Sequence, residues 1–239
     1  MIKKNKKLSL ETKPQLISNK VPFAYDEAYK TLRTNFNFLA SNGKARKVIV
    51  TSALPNEGKS TVSINLAITL ARMGSKVLLI DADLRNPVVR RYLNLEIDSQ
   101  LGLSSLLNGD VKVGDCLVQA ACGVDVIASG PIPPNPTELI RSEAMATLLN
   151  HAEKRYDYVI CDTPPAGVIT DAAALSPLCD GVVYVIRHKY ASKTQVRGAL
   201  KKLQTVNAKV LGTVLTQYEI PKEFGKRYNY YHGYHYVSD

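Results

Sequence analysis

Residues 47–61 read KVIVTSALPNEGKST, and this stretch decides the fold class of the chain. A β-branched run comes first, a polar turn follows, and an apolar helical pattern begins near Thr61. The spacing from Ala53 to Ser60 is that of the P-loop, with Ala53 where the first glycine usually stands. Backbone N–H groups of such a turn, with the N-terminus of the next helix, form a donor surface for phosphates. The stretch therefore predicts a phosphate-binding loop; the alternative is an ordinary strand-to-helix turn with a coincidental Gly-Lys-Ser.

The residue types of this loop suit a nucleotide. Gly58 permits close approach of the backbone, Lys59 brings a positive charge to the β- and γ-phosphates, and the Ser60 hydroxyl can ligate Mg²⁺. ATP and Mg²⁺ are therefore the expected cofactors. We expect the ATP-binding residues to be Pro55, Asn56, Glu57, Gly58, Lys59, Ser60 and Thr61.

Length and composition favour one globular domain. The 239 residues are 45% hydrophobic, which is enough to bury a sizeable core. No apolar run reaches the roughly 18 to 20 residues of a membrane span, and no apolar secretory stretch follows the N-terminal lysines, so we expect a cytosolic protein. The four cysteines show neither close pairing nor metal-site spacing, which favours buried thiols without disulfides.

Basic residues are concentrated at the N-terminus of a chain whose formal net charge is +10. We expect residues 1–20 to form a basic, flexible leader. Such a segment could contact nucleic acid or an anionic membrane surface, the latter at about 1 kcal/mol per basic residue near the lipid. A solvated tail with no specific partner is the other interpretation, and both stay open.

Helical and strand patterns alternate after the leader. Residues 23–40 carry Ala24, Ala28, Leu32, Phe36 and Leu39 at helical spacing and predict an amphipathic helix. Val/Ile/Leu runs without polar alternation follow, as in strands buried on both faces. The predicted strands lie near 47–51, 76–81, 124–128, 157–162, 181–187 and 209–216, and the predicted helices near 59–73, 137–150, 170–178 and 192–206. The fold class is therefore α/β, with a mainly parallel, twisted sheet and helices on both faces.

Two segments interrupt this alternation. Residues 86–123 hold no clear strand, although residues 101–107 resemble a short helix. Residues 130–136 read GPIPPNP, a stiff loop after which Thr137 is the expected N-cap of the next helix. Because loops after the carboxyl ends of parallel strands line the ligand crevice, this loop could border the nucleotide site, or it could be a purely structural turn.

Two predicted strands end in acids. Residues 77–80 run into Asp81 and Asp83, and residues 158–161 run into Asp162. The carboxyl ends of parallel strands share one edge of the sheet, beside the phosphate-binding loop. Asp162 is the Walker B candidate, and Asp81 and Asp83, two residues apart on an extended chain, point the same way. One such acid could be a simple strand-end cap, but acids at both strand ends are much harder to attribute to chance.

These carboxylates suit a hydroxyl acceptor. A tyrosine hydroxyl has an unperturbed pKa of about 10, so a nearby carboxylate that accepts its proton would assist attack on the γ-phosphate. Arg85 could steady a phosphate or pair with a carboxylate. We expect Lys59, Asp81 and Asp83 to be catalytic residues. We expect the metal ligands to be Ser60, Asp81 and Asp162.

Residues 219–239 contain five tyrosines within nine positions: Tyr228, Tyr230, Tyr231, Tyr234 and Tyr236. No aliphatic periodicity accompanies them, so a flexible tail is expected. If the loop binds ATP, these hydroxyls are tethered phosphoacceptors at an effective concentration of about the millimolar range. Stacking on nucleic-acid bases and packing against a partner are the competing interpretations.

Taken together, these residues resemble the bacterial tyrosine kinases of Gram-positive type, which are cytoplasmic partners in capsule and exopolysaccharide synthesis. The likeness covers nearly the whole chain. It rests on residues 53–60 as Walker A, residues 78–85 (LLIDADLR) as the second Walker-type motif, residues 159–165 as Walker B, and the tyrosine cluster. Residues 130–139 also look like a segment of this family.

The resemblance implies a P-loop NTPase fold related to the partitioning ATPases, with a kinase domain over residues 21–218. It implies autophosphorylation of the tyrosine cluster from ATP, in trans within an oligomer, and regulation of polysaccharide synthesis. It also implies substrate proteins, and an integral-membrane activator that completes the kinase and holds this cytoplasmic chain at the inner face of the membrane. No specific nucleic-acid partner is expected.

In this family a Glu-x-x-Arg-x-x-Arg stretch on the first helix builds a ring of subunits. The matching positions here are Glu27, Lys30 and Arg33. Lys30 departs from the pattern and lacks the bidentate geometry of arginine.

The alternative function is a partitioning-like P-loop ATPase that switches on DNA or a membrane surface. Such relatives carry an extra lysine in the loop, where this chain has Leu54, and often an adenine-contacting asparagine where it has Thr216. Leu54, the two aspartates after the second strand and the tyrosine tail favour the kinase. Deletion of the tail discriminates, because only the kinase predicts loss of incorporated phosphate.

Overall fold

A computed structural model describes residues 14–18, 21–40 and 46–218. The strands are β1 Lys47–Ser52, β2 Val77–Asp81, β3 Leu117–Gln119, β4 Asp125–Ile127, β5 Tyr158–Asp162, β6 Gly181–Arg187 and β7 Val210–Thr216. The helices are α1 Phe23–Ala40, α2 Lys59–Ala71, α3 Val89–Leu93, α4 Leu103–Asn108, α5 Val113–Cys116, α6 Pro136–Ile140, α7 Glu143–Glu153, α8 Asp171–Leu175 and α9 Lys193–Thr205. The predictions for residues 1–13 of the leader and for the tail lie outside the described residues. Residues 14–18 of the predicted flexible leader instead pack on α2, since Ile17 is 4% exposed and donates its N–H to the Asn65 side chain at 2.9 Å.

The strands form one sheet in the order β3-β4-β2-β5-β1-β6-β7. β1 pairs in parallel with β5 on one side and with β6 on the other. β2 pairs in parallel with β5 and β4, and β7 with β6. Of the described strands, β3 alone runs antiparallel, against β4. The predicted mainly parallel sheet is confirmed, and the carboxyl ends of β1, β2 and β5 meet at one edge.

Two apolar cores lie on opposite faces of this sheet. Successive β1 residues alternate between them, since Ile49 belongs to one core and Val48 and Val50 to the other. The first core includes side chains of α4, α6, α7, α8 and α9, and the second those of α1, α2 and α3. Helices on both faces are therefore confirmed. Every residue of β1 and β2 is buried, which is why these strands read as continuous apolar runs.

Helix α1 confirms the helix predicted over residues 23–40, but the apolar pattern predicts its core-facing side only in part, at Leu32 and Phe36. Tyr29 and Phe36 are buried, and Tyr25 and Leu32 pack against the same core. The prediction was wrong at three exposed positions: Ala24, Ala28 and Leu39. Tyrosine rings bury far more apolar surface than alanine methyl groups, so the tyrosines outweigh the aliphatic pattern.

Two further predictions about secondary structure were wrong. β3 lies within residues 86–123, where no strand was expected, because three residues are too few to show a strand period. The single helix predicted over 137–150 is two helices, α6 and α7. Ser142 begins the second one by accepting a hydrogen bond from the Met145 N–H at 3.2 Å. The short helix expected over 101–107 is confirmed as α4.

Thr137 is not the N-cap of its helix. α6 begins at Pro136, so Asn135 holds the N-cap position. The Thr137 hydroxyl instead donates to Asp171 at 2.6 Å. Asp171, which is distant in sequence, therefore binds the side chain that the local pattern predicted to cap the helix.

Candidate active site

The phosphate-binding loop connects β1 to α2 at the carboxyl edge of the sheet. Gly58 has a φ of +91°, a conformation that favours glycine, and it is the N-cap of α2. A Cβ at this position would lie 3.4 Å from the Thr216 side chain. That distance is an ordinary van der Waals contact, so the loop needs Gly58 for its backbone conformation.

Glu57 fastens the loop from inside and is 1% exposed. Its carboxylate accepts hydrogen bonds from the Leu54 N–H at 2.6 Å and the Arg187 N–H at 3.3 Å. The Thr216 hydroxyl donates to the Glu57 carbonyl at 2.7 Å, and the Arg187 guanidinium donates to the Asn56 carbonyl at 3.2 Å. These bonds tie the loop to β6 and β7, a role that the sequence analysis did not assign to these residues.

The two strand-end acids lie side by side, because Asp81 and Asp162 are paired in the β2–β5 register. Both are completely buried. The Asp162 carboxylate accepts from the Ser63 hydroxyl at 3.1 Å on one oxygen, while its second oxygen has no hydrogen-bond partner among the described residues. A buried carboxylate oxygen without a donor is a position that a cation would satisfy.

Lys59 reaches across to these acids. Its ammonium lies 3.1 Å from the Asp83 carboxylate, and both side chains are largely buried. The Asp81 carboxylate accepts from the Val89 N–H at 3.0 Å and from the Asp83 N–H at 3.3 Å. The first lysine of α2 and three aspartates thus converge at the carboxyl edge, as the sequence predicted.

Burial and mutual repulsion shape the charges of this cluster. Burial, and next the negative charge of Asp162, raise the pKa of Asp81 to about 8. Burial also raises the pKa of Asp162, although Lys59 and the Ser60 hydroxyl oppose the rise. For Lys59, burial would lower the pKa, but the charges of Asp162 and Asp83 raise it further than burial lowers it. The cluster therefore favours a bound positive charge.

The residues present fit a magnesium ion. Carboxylate and hydroxyl oxygens are its preferred ligands, and Ser60 and Asp162 provide them within hydrogen-bond reach of each other. The unpartnered Asp162 oxygen is the specific observation that supports this fit. Backbone N–H groups at the start of α2 would face the phosphates of a nucleotide.

Arg85 does not contribute to the lysine–aspartate cluster directly. Its guanidinium pairs with the buried Asp171 at 3.0 Å and donates to the Thr137 hydroxyl at 2.9 Å. Asp171 also accepts from Thr137. These contacts join the segment after β2 to the starts of α6 and α8. Of the two roles that the sequence suggested for Arg85, contact with a phosphate and pairing with a carboxylate, the structure shows the second.

The structure brings together the loop residues 55–61 and all three predicted aspartates. The predicted ring residues lie elsewhere, on α1. There Lys30 pairs with Glu27 at 2.7 Å and with Asp26 at 2.9 Å, and Arg33 donates to the Thr69 carbonyl of α2 at 3.4 Å. The predicted phosphoacceptor tyrosines lie outside the described residues.

Sequence reasoning missed Arg187, Ser63 and Val89, which hold the site in place, and it gave Glu57 and Thr216 roles other than holding the loop. Ser63 follows Lys59 by one helical turn, which is the only signal that could have found it. No helix within 14–18, 21–40 and 46–218 is long and apolar enough to cross a membrane.

Known proteins with a similar fold and sequence agree with this fold and site. The family model described as an AAA domain matches residues 55–215. Solved structures of similar fold include the septum site-determining protein MinD of Pyrococcus horikoshii with Mg-ADP, with a TM-score of 0.61 and 22% identity, covering 77% of this chain and 76% of that structure. They also include the cobyrinic acid a,c-diamide synthase of Mycobacterium smegmatis with a bound ATP analog and magnesium, with a TM-score of 0.63 and 21% identity, also covering 77% of each chain. Fold and loop together define a P-loop NTPase of the branch that includes the partitioning ATPases.

Proteins with higher sequence identity show which family of P-loop NTPases this is. The tyrosine-protein kinase YwqD of Bacillus subtilis (strain 168) is 42% identical over 207 residues, 86% of this chain and 85% of the relative. The chimerical protein CapA2B2 has a TM-score of 0.76 and 38% identity, covering 82% of this chain and 85% of that structure. The kinase domain of Escherichia coli tyrosine kinase ETK has the same TM-score and 29% identity, covering 92% and 88%. The chain belongs to the bacterial tyrosine kinases of the capsule-synthesis type and is a tyrosine-protein kinase.

Proposed function

We propose that this tyrosine kinase transfers the γ-phosphate of ATP to its own C-terminal tyrosine cluster. The observation that carries the proposal is the convergence of Lys59 with Asp81, Asp83 and Asp162 beside a phosphate-binding loop. A tyrosine-rich segment follows the last described strand by about ten residues. The proposed domains are a basic leader over 1–20, the kinase domain over 21–218 and the tyrosine tail over 219–239. The phosphoacceptors are Tyr228, Tyr230, Tyr231, Tyr234 and Tyr236.

ATP and Mg²⁺ are the proposed cofactors. Residues 55–61 would surround the phosphates, with backbone N–H groups from residues 56–61 because Pro55 has none, and Lys59 would exchange its contact with Asp83 for the β- and γ-phosphates. Ser60, Asp81 and Asp162 would hold the Mg²⁺, whose charge would neutralise the phosphates. The unpartnered oxygen of Asp162 supports this assignment.

Transfer exchanges one phosphorus–oxygen bond for another. The tyrosine hydroxyl oxygen bonds to the γ-phosphorus, the bond from the γ-phosphorus to the β–γ bridging oxygen breaks, and ADP leaves. The hydroxyl proton passes to the Asp81/Asp83 carboxylates. Once Lys59 contacts phosphate, Asp83 is released to face the acceptor.

Transfer occurs in trans within an oligomeric ring whose contacts involve Glu27, Lys30 and Arg33. The exposure of Glu27 and Lys30, each just over 40%, supports this surface as a contact site. The relatives' names place them in tyrosine phosphorylation. The chain acts at the inner face of the membrane with an integral-membrane activator, phosphorylates itself and further substrate proteins, and regulates polysaccharide synthesis.

Mixing two full-length variants, neither of which can phosphorylate its own tail, tests transfer in trans. One chain keeps the catalytic residues but carries Tyr→Phe at all five cluster positions, and the other carries Lys59→Met with an intact tail. With ATP and Mg²⁺, alone or with an activator tail peptide, mass spectrometry should find phosphotyrosine on the Lys59→Met chain. Lys59→Met by itself should incorporate at least about 100-fold less, since it loses one positioned charge.

Lys201→Met is the matched control, because Lys201 lies exposed on α9. It should incorporate phosphate as the unmodified chain does. If no mixture, including the unmodified chain with activator, places phosphate on the tail, the proposal is wrong. Labelling of the Lys59→Met chain without a partner would contradict the catalytic role of Lys59.

A further inference from the structure

A groove of about 440 Å³ opens at the carboxyl edge of the sheet, beside the candidate active site. Its walls come from α3 with the chain after it and from the loop that follows β4. Half of the ten residues that line it are polar or basic, and no carboxylate of the described residues is among the ten: the polar and basic ones are Arg90, Arg91, Asn94, Ser99 and Ser129. The groove is therefore basic and suited to an anion.

Two arginines on consecutive positions of α3 supply the charge. Arg90 is exposed, and none of the ion pairs formed within residues 14–18, 21–40 and 46–218 involves it. The Arg91 guanidinium lies 5.4 Å from the centroid of the Tyr92 ring, which helps to orient it. A planar guanidinium offers paired donors that match phosphate oxygens.

The floor of the groove is built by close backbone contacts. The Leu103 N–H donates to the Ala128 carbonyl at 2.7 Å, and the Ser104 N–H to the Ser129 carbonyl at 2.9 Å. A Cβ on Gly102 would lie 2.2 Å from the Gly130 nitrogen, so only glycine fits there. The start of α4 and the end of β4 therefore form one fixed surface.

The groove is connected directly to a predicted catalytic residue. Val89, the first residue of α3, donates its N–H to the Asp81 carboxylate at 3.0 Å. Arg90 is the next residue along the same helix. A ligand on the arginines would thus contact the helix whose first N–H holds the Asp81 carboxylate.

The C-terminal segment changes its charge when it is phosphorylated. Residues 219–239 hold three acids and three bases, so their formal charge is zero: Glu219, Glu223 and Asp239 against Lys222, Lys226 and Arg227. Each phosphate adds about −1.5 to −2 charges at neutral pH. Leu95 and Leu101 also line the groove and offer apolar contact to an aromatic ring. The phosphorylated segment therefore matches both the charge and the apolar wall of the groove.

We propose that this groove binds a phosphotyrosine of the C-terminal cluster of a second copy of the chain. The inference rests on the proposed function, which supplies the phosphotyrosine. Binding anchors the tail after its first phosphorylation and holds the remaining tyrosines near Asp81. Because Tyr228 and Tyr236 are eight residue steps apart, at most about 29 Å when extended, one anchored residue keeps the others close to the site. Later phosphorylations of the same tail are then faster than the first.

A binding measurement separates this inference from catalysis. The full chain carrying Lys59→Met, which keeps its own tail unphosphorylated, is titrated into a fluorescent peptide of residues 226–239. The peptide is used with phosphotyrosine at position 230, with tyrosine there, and with glutamate there. Arg90→Ala is compared with Arg197→Ala, an exposed arginine on α9, and hydrogen exchange maps residues 87–101 and 128–130.

We expect the phosphopeptide to bind at least about tenfold more tightly than the tyrosine or glutamate peptide, since hydrogen bonds to charged groups supply that much. Arg90→Ala should lose this difference and Arg197→Ala should keep it, with exchange slowed in the groove. Equal affinity of the three peptides, equal effects of the two variants, or protection elsewhere would overturn the groove assignment. Any of these results would leave transfer in trans standing, because that assay does not depend on Arg90.

Discussion

Glu57 shows how one residue can have a different role from the one its motif suggests. Its position in the loop marks it as an ATP-binding candidate, yet its carboxylate is buried and accepts two backbone N–H groups. The side chain therefore holds the loop backbone in shape.

We predict that Glu57→Gln lowers the free energy of unfolding by about 1–3 kcal/mol, because the amide accepts at one end only and leaves a buried donor unsatisfied. The KM for ATP should rise because the loop is less firmly held. Urea unfolding and initial-rate kinetics measure the two effects. Glu96→Gln, at an exposed acid, should change neither. Equal stability of the two variants would show that the Glu57 carboxylate does not hold the loop in place.

Asp162 carries the prediction about the metal. In the presence of ADP, Mg²⁺ should raise the Tm of the unmodified chain, by about 2–4 °C for each kcal/mol of binding free energy. Asp162→Asn should lose most of this rise, since it replaces the unpartnered carboxylate oxygen. Thermal scans with and without Mg²⁺ measure it. An undiminished rise in Asp162→Asn, matching that of the exposed control Asp110→Asn, would show that Mg²⁺ binds elsewhere.

At the scale of elements, the pairing of β2 with β5 assembles the site. It sets Asp81 beside Asp162 and leaves both strands with their carboxyl ends next to the phosphate-binding loop. A side-chain hydrogen bond also holds β4, the strand beyond β2, to the segment just before β5. The Tyr156 hydroxyl, just before β5, donates to Asp125 of β4 at 2.9 Å.

This bond should make stability fall at alkaline pH. Burial, and next the hydrogen bond to Asp125, raise the pKa of Tyr156 from 10.0 to about 12. Between these values the unfolded chain loses the proton while the folded chain keeps it, so rising pH favours unfolding. The Tyr156 contribution is complete below the unfolded pKa and is lost as pH rises towards the folded one. Urea unfolding of the unmodified chain and Tyr156→Phe at pH 8, 10 and 11.5 should show a shrinking difference; a constant difference would contradict the raised pKa.

At the scale of the whole molecule, helix α1 carries apolar side chains that neither core buries. Phe23, Phe38 and Leu39 of α1 are 62%, 71% and 41% exposed. These side chains occupy the helix that carries Glu27, Lys30 and Arg33. An exposed apolar surface next to charged residues is typical of a contact between subunits.

We predict that Glu27→Lys weakens self-association and slows tail phosphorylation at low protein concentration, because it places a like charge beside Lys30. Sedimentation velocity and label incorporation measured against chain concentration test this. Glu143→Lys, an exposed charge reversal at the start of α7, should leave both unchanged. If the two variants associate equally, α1 is not the contact surface.

The tertiary structure alone decided the supporting contacts. Tyr29 rather than Ala28 faces the core, Thr137 binds Asp171 rather than capping its helix, and Arg85 joins them. Each of these contacts depends on partners distant in sequence, which local periodicity and capping preferences do not report. The basic groove beside Asp81 likewise exists only because β4 pairs with β2 and brings Ser129 near Arg90.

The sequence by itself determined the α/β class, the phosphate-binding loop and the acids that accompany it. Those features are local: a buried strand reads as an apolar run, and a turn that binds phosphate needs particular residues at fixed spacing. The order of the strands, the clamp formed by Glu57 and the unpartnered oxygen of Asp162 came from tertiary structure, because each arises where segments about 100 residues apart meet.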